Sequence, residues 1–345
     1  MDNGISYLNI YLHIFQTQKD ILFGKMVIKM TEIILDTDIG SDCDDMMALS
    51  WLIYAQKSGK VKINAISVSH KTDFAYGALS ALFDAFDTEL PSVGQIRNGL
   101  EEFKDNYCQK VAVKFPGGRY TPEDSVRILR RALVQTNDKA ILCGIGPMTN
   151  IASLLKSVPD GISPLDGRRL LLEKCSKIVL MAGNFTEDKN GVREPEWNVK
   201  CDISAAKLIM EECDNEIVIL PYELGIDMIT GEKLTKELGD THPLTYAFIC
   251  FNGEARGRHS WDPATVLYAV QGCGDYFQES EPGVIRIGEQ GESFFTPQRN
   301  GKHKVLSLKL LNGESETAAK KRISEYMDKC VEDMIDKKIG GTVIV

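Results

Sequence analysis

This sequence predicts an α/β fold: a single domain on a mostly parallel, Rossmann-like open sheet flanked by helices. Three observations predict it. Strand-like and helix-like segments alternate along most of the chain. The strand-like ones are short, continuous apolar runs rich in β-branched residues, as expected of strands covered on both faces. No Pro/Ser-rich linker and no repeat period divides the 345 residues, so residues 31–345 read as one domain.

Residues 1–30 read as an N-terminal extension. Ile5 to Phe15 are largely apolar, but no basic region precedes them and no small-residue cleavage site follows, so they do not conform to a leader. Met26 and Met30 are alternative starts, and the arm is a candidate pairing segment. Ile33-Ile34-Leu35 opens the first strand, and Met46 to Ile53 starts a buried helix. Residues 61–68 are the second strand and 74–86 the helix after it. Residues 124–136 are strongly helical, with Val126, Leu129 and Leu133 on one face and Arg127, Arg130 and Arg131 largely on the other. Residues 139–143 form a third strand ending in Gly144-Ile145-Gly146-Pro147, and a helix follows over 148–156. A strand at 177–181 runs into a polar loop, 182–198. A helix at 204–212 and a strand at 216–220 come next, then helices at 243–251 and 263–270. A strand-rich stretch, 284–309, precedes a long final helix near 315–338. The acidic turn, the Gly144 turn and the loop after Met181 all follow strands. In a parallel sheet such turns share one edge and can converge.

Composition narrows the function classes. A hydrophobic fraction of 43% with 26% charged residues is that of a globular chain. A net charge of −9 argues against a general nucleic-acid binder, which needs clustered Lys and Arg. No apolar run approaches bilayer length, so no membrane partner is expected. Nine cysteines, scattered and without a C-x-x-C pair, fit free thiols in a reducing cytoplasm.

The stretch Asp36-Thr37-Asp38-Ile39-Gly40-Ser41-Asp42-Cys43-Asp44-Asp45 packs five carboxylates into one strand-to-helix turn. Helix capping needs only one or two of them. An EF-hand loop wants Gly at its sixth place and Glu at its twelfth; counted from Asp36, Ser41 and Met47 stand there. A hard divalent cation among the carboxylates relieves their mutual repulsion, so a catalytic metal site at the carboxyl end of a strand is the favoured reading. Further on, Asn184, Glu194, Glu196, Asn198 and Asp202 follow a strand, and Ser260-Trp261-Asp262-Pro263 begins a helix. Asp262 reads there as an N-cap with Pro263 at the first helical position, a role compatible with binding a metal.

Together these blocks resemble the nucleoside hydrolases of the inosine–uridine-preferring type. The aspartate cluster carries the resemblance. Gly146-Pro147-Met148-Thr149-Asn150-Ile151-Ala152, Val179-Leu180-Met181-Ala182-Gly183, Glu196-Trp197-Asn198 and Trp261-Asp262-Pro263 follow in the family's order and spacing, over about residues 31–310. The resemblance implies hydrolysis of the N-glycosidic bond of a ribonucleoside to free base and ribose, in nucleoside catabolism and salvage, with Ca²⁺ as cofactor. It implies calcium ligation by Asp38, Asp45 and Asp262 and by the main-chain oxygen of Ile145, with Asp38 as general base on the bound water. Asp44 (or Asp42) would hold the ribose 2′-hydroxyl, and Asn198, Glu196 and Asn190 the others, with Asp262 also near the sugar. Asp36 and Asp42 would orient the turn. A homodimer or homotetramer is implied as well.

The chain departs from the family in several places. His70-Lys71 stand where the family has an Asn after its second strand. Trp261 stands where a leaving-group His often falls, so Trp261 becomes a candidate to stack on the base and His259 a candidate acid. Asn190 aligns only after a one-residue shift. Two other readings compete. Asp36-Thr37-Asp38 superficially resembles the aspartyl-nucleophile phosphohydrolases, but Gly40 stands where they expect Thr or Val and their pattern ignores Asp44, Asp45 and Asp262. A nucleoside- or pentose-binding protein that kept the fold and lost turnover is the other.

Overall fold

In the computed structural model, residues 30–97, 104–118 and 122–340 are described. Apart from Met30, the expected N-terminal extension lies outside them. The first half of the chain runs β1 (Thr31–Thr37), α1 (Asp44–Lys57), β2 (Val61–Val68), α2 (Ala75–Ala85), β3 (Ser92–Gln95), α3 (Cys108–Lys114), β4 (Glu123–Asp124), α4 (Ser125–Val134), β5 (Ala140–Gly144) and α5 (Thr149–Leu155). It continues with α6 (Gly167–Lys174), β6 (Cys175–Met181), α7 (Trp197–Cys201), α8 (Ile203–Glu212), β7 (Ile217–Leu220), α9 (Tyr222–Gly225), β8 (Ile229–Thr230) and α10 (Glu232–Leu238). Then come α11 (Pro243–Asn252), β9 (Arg258–His259), α12 (Trp261–Gln271), β10 (Phe277–Glu279), β11 (Gly283–Ile287), β12 (Ser293–Pro297), β13 (His303–Leu308) and α13 (Glu316–Gly340).

The large sheet has the order β12-β11-β13-β7-β6-β5-β1-β2-β3-β4. From β4 to β13 every neighbouring pair is parallel. Strands β10, β11 and β12 add antiparallel pairs at one end. Within the strand-rich stretch read from sequence, β11 and β12 therefore form an antiparallel edge and β13 joins them to the parallel sheet, a common arrangement in α/β folds. Going outward from β1, the chain builds β2, β3 and β4 on one side and β5, β6 and β7 on the other. The order reverses between β1 and β5, and a crevice opens there at the strands' carboxyl ends.

Strand alternation divides the core into two layers. Ile33 and Leu35 of β1 face a cluster with Trp51, Phe248 and Leu267, and Ile34 between them faces one with Leu129, Ile151 and Ile209. In α4, Leu129 and Leu133 are buried as expected, but Arg130 is buried too. It is not on the solvated face: its guanidinium pairs with Asp160 at 3.0 Å and donates to the carbonyls of Ser163 and Leu165. Those acceptors meet Nη2 of the buried charge, while Nε has no hydrogen-bond partner among the described residues. No helix among the described residues is long and apolar enough to cross a membrane.

Candidate active site

The site begins where β1 ends. Asp36 pairs in register with Ser67 of β2 and Gly144 of β5, and its carbonyl accepts from Ile145 N at 2.8 Å. Its side chain accepts from Ser67 Oγ, and from Asn150 Nδ2 at 2.8 Å. Burial pushes this carboxyl up to about 7. Asp36 thus fastens three segments together beneath the turn.

Two glycines let the turns converge. Gly40 has φ +111°, a conformation L side chains rarely adopt, and its N–H donates to Tyr107 Oη at 2.8 Å. Gly146 is needed for close approach. A Cβ there would stand 2.7 Å from Ser69 Oγ, 2.8 Å from Asp38 N and 2.9 Å from Asp38 Oδ1.

At the floor, Asp38, Asp45 and Asp262 bring one carboxylate oxygen each to within 4.8 Å of one another, all three buried. They come from the β1 turn, the first turn of α1 and the first turn of α12, two helices that pack on each other. Burial, and then the neighbouring carboxylates, drive all three acids upward, Asp38 to about 8. Asp45 Oδ1 accepts from Thr37 Oγ1, while Asp45 Oδ2 has no hydrogen-bond partner among the described residues. Hard oxygen donors crowded without enough protons or cations to balance them are the donor set of a divalent cation site. The residues fit such an ion.

A cavity of about 560 Å³ opens over this floor, with Asp38, Asp44, Ile145, Glu196, Asn198 and Asp262 in its wall. None of the cluster's aspartates caps its own helix: α1 has Cys43 at its N-cap and no side-chain cap. Instead Asp44 Oδ2 accepts from Trp261 N and Asp262 N, each at 3.1 Å, so α1 supplies the cap for α12. Asp262 is accordingly not the N-cap expected from sequence. Ser260 holds that position and Asp262 lies inside the first turn, where its carboxylate is released to face Asp38 and Asp45. Glu196 caps α7, accepting from Asn198 N at 2.7 Å and Val199 N at 3.1 Å, and also from Gly183 N at 3.1 Å. Burial raises its carboxyl to about 7. Asn198 donates to Met181 O at 3.1 Å.

Two sequence candidates do not reach the cavity wall. Asn190 is exposed and folds back onto Asp188, with N–H···Oδ1 at 2.8 Å and Nδ2···Oδ2 at 3.2 Å. His259 Nδ1 accepts from Asp227 N at 2.9 Å, and burial lowers its pKa. Successive strand residues face opposite ways, and β9 presents Arg258 to the cavity and His259 away from it. Asp42, expected to orient the turn, makes a two-pronged ion pair with Arg258, at 2.5–3.1 Å.

Sequence reasoning missed Arg258 and three aromatic groups in the wall, Trp197, Tyr222 and Phe251. Trp261 itself stacks on Tyr222, centroids 5.5 Å apart, and donates Nε1–H to Tyr222 O at 2.9 Å. The one available signal was the aromatic and basic content of the stretch just before Asp262.

Residues 33–318 match the family described as inosine-uridine preferring nucleoside hydrolase. Among solved structures, an inosine-uridine preferring nucleoside hydrolase from Bacillus anthracis superposes with TM-score 0.64 at 18% identity, covering 89% of this chain and 100% of that one. A purine-preferring ribonucleoside hydrolase from Gardnerella vaginalis gives TM-score 0.63 at 16% identity, covering 88% and 99%. An uncharacterised protein of Schizosaccharomyces pombe is 30% identical over 92 residues, which is 27% of this chain and 26% of that protein's length.

Proposed function

Because the chain belongs to the inosine-uridine preferring nucleoside hydrolase family, we propose that it hydrolyses the N-glycosidic bond of a ribonucleoside, releasing free base and ribose. The observation that carries this reading is the buried Asp38–Asp45–Asp262 cluster at the floor of the cavity. Its volume lies within the usual range for small-molecule sites.

Calcium is the cation proposed for the cluster, held by the three carboxylates and the main-chain oxygen of Ile145; when bound it balances their charge, makes a water more acidic and attracts the sugar's hydroxyls. Asp38 then accepts the proton of the water that attacks C1′. As the C1′–N bond breaks, its electron pair moves to the base and positive charge develops on the ribose ring. The surrounding carboxylates favour that charge more in the transition state than in the ground state. Asp44 spends Oδ2 on α12 and keeps Oδ1 for a ribose hydroxyl. Glu196 and Asn198, fixed by main-chain partners, bind the remaining hydroxyls without having to be ordered first.

Reducing-sugar release from inosine, adenosine, guanosine, uridine and cytidine tests the reading, with calcium measured on the same samples. Wild type releases ribose, and Asp38→Ala loses roughly a thousandfold in kcat/KM, as removal of a general base does. Calcium-loaded wild type that releases no sugar from any nucleoside would sink the proposal and leave a binding protein.

A further inference from the structure

Resting on the hydrolase reading, we propose that Arg258 stabilises the departing base. Its guanidinium holds the negative charge left on the base, so no side-chain acid has to protonate it. A purine or pyrimidine expelled with the C1′–N electron pair is a poor leaving group unless it is protonated or its charge is met by donors. No histidine lies in the cavity wall among the described residues; the cations there are Arg258 and Lys104. Lys104 is exposed, whereas Arg258 is half-buried.

The hydrogen bonds of Arg258 divide its guanidinium into a used edge and a spare one. Nε and Nη2 are spent on the Asp42 carboxylate. Nη1 enters no hydrogen bond among the described residues, so both of its N–H donors remain. The Phe251 and Trp261 rings lie 5.1 and 5.3 Å from the guanidinium carbon, within cation–π range. The group is therefore fixed before substrate arrives, which is what electrostatic stabilisation of a transition state requires. Asp42 also keeps this cation off Asp38, Asp45 and Asp262, where it would compete with a metal. An Arg keeps its charge throughout the working pH range, so its help needs no proton transfer.

The step balances. The water oxygen bonds to C1′, its proton passes to Asp38, and the C1′–N pair moves to the base. The base anion, held by Arg258, takes a proton from solvent on leaving, and Asp38 returns its own to solvent. A competing donor in the wall is the Tyr222 hydroxyl.

Leaving-group dependence separates the roles. We compare inosine and uridine with 4-nitrophenyl β-D-ribofuranoside, whose nitrophenolate departs without help. Arg258→Gln should lose roughly 100-fold in kcat/KM on the nucleosides and less than about tenfold on the nitrophenyl riboside, the size seen when one transition-state donor is removed. Arg258→Lys keeps the charge without the fork and should show the same pattern more weakly; it carries the test should the Gln variant fail to fold in thermal melts. Equal losses on all three substrates would make Arg258 only a brace for the turn and overturn the proposal. So would no loss, or a nucleoside-selective loss in Tyr222→Phe that exceeds that of Arg258→Gln. Wild type that cleaves no riboside at all removes the hydrolase reading and this inference with it. Wild type that cleaves nucleosides beside an indiscriminate Arg258→Gln removes this inference alone.

Discussion

Gly146→Ala probes the contact on which the site's geometry depends. The added Cβ would meet Ser69 Oγ at 2.7 Å, Asp38 N at 2.8 Å and Asp38 Oδ1 at 2.9 Å. Unstrained non-bonded contacts of this kind lie near about 3.5 Å, so the two turns must part by about 0.6–0.8 Å. Overpacking of this kind costs about 1–3 kcal/mol, which for a domain of this size lowers Tm by a few degrees. The larger effect falls on activity, because Asp38 moves relative to Asp45, Asp262 and the sugar; a displacement near 1 Å can cost ~100-fold. Ribose release should therefore fall by roughly 30- to 100-fold in kcat/KM, with a Tm drop too small to explain it. Gly161→Ala is the control, since no atom lies within 4 Å of its added Cβ, and it should be indistinguishable from wild type in both assays. A Gly146→Ala protein with the Tm of wild type and kcat/KM within about threefold of it would refute the reasoning, because that threshold lies far below the expected loss.

Two further variants follow from the electrostatics. Asp45→Asn removes one charge from a buried cluster that burial, Asp38 and Asp44 already destabilise. In chelator it should melt at or above wild type, and it should lose most of the calcium-dependent gain, which for wild type at a hundredfold excess over Kd is about 2.7 kcal/mol; calcium that stabilises both proteins equally would refute the ligand assignment. His303 is buried, accepts from Ile285 N at 2.7 Å, and has its pKa lowered to about 4 by burial and then by Lys302. Its folded pKa lies below the unfolded 6.5, so between pH 6.5 and 4 the unfolded chain binds more protons and stability falls as pH falls. His303→Asn should flatten part of that acid limb in urea melts, by about 1–2 kcal/mol; burial lowers His70 as well, so part of the limb remains. An unchanged limb would overturn this account.

The sequence made β1, its acidic turn and the turn after β5 legible for a simple reason. A buried strand must be an apolar run, and five carboxylates in one turn have few innocent explanations. Asp38, Asp45 and Asp262 come together as expected because Asp38 directly follows β1 and the other two sit in the first turns of helices next to the crevice. What could not be read is long-range pairing. Asp42 and Arg258 lie 216 residues apart, and an Arg in a two-residue strand looks like surface until that strand is placed. Arg130 misled for the converse reason: helical periodicity put it among charged residues, but its acceptors come from the loop after α5. Elements α3 and α6 escaped because each has only seven or eight residues, too few for a hydrophobic period to show. Asn190 failed because a short polar loop can satisfy its own amides, here through Asp188.

The bond from Asp44 to the start of α12 has a consequence for how such a protein decays. In the proposed reaction Asp44 serves turnover, and it also serves the folded chain, because its Oδ2 holds the two amides that open α12. Among the described residues Asp38 makes no comparable bond to a second helix. A gene copy released from its enzymatic duty is therefore free to drift at Asp38 early, while Asp44 is retained for stability alone. In such descendants the presence of Asp44 would say nothing about activity, and the residue to inspect first is Asp38.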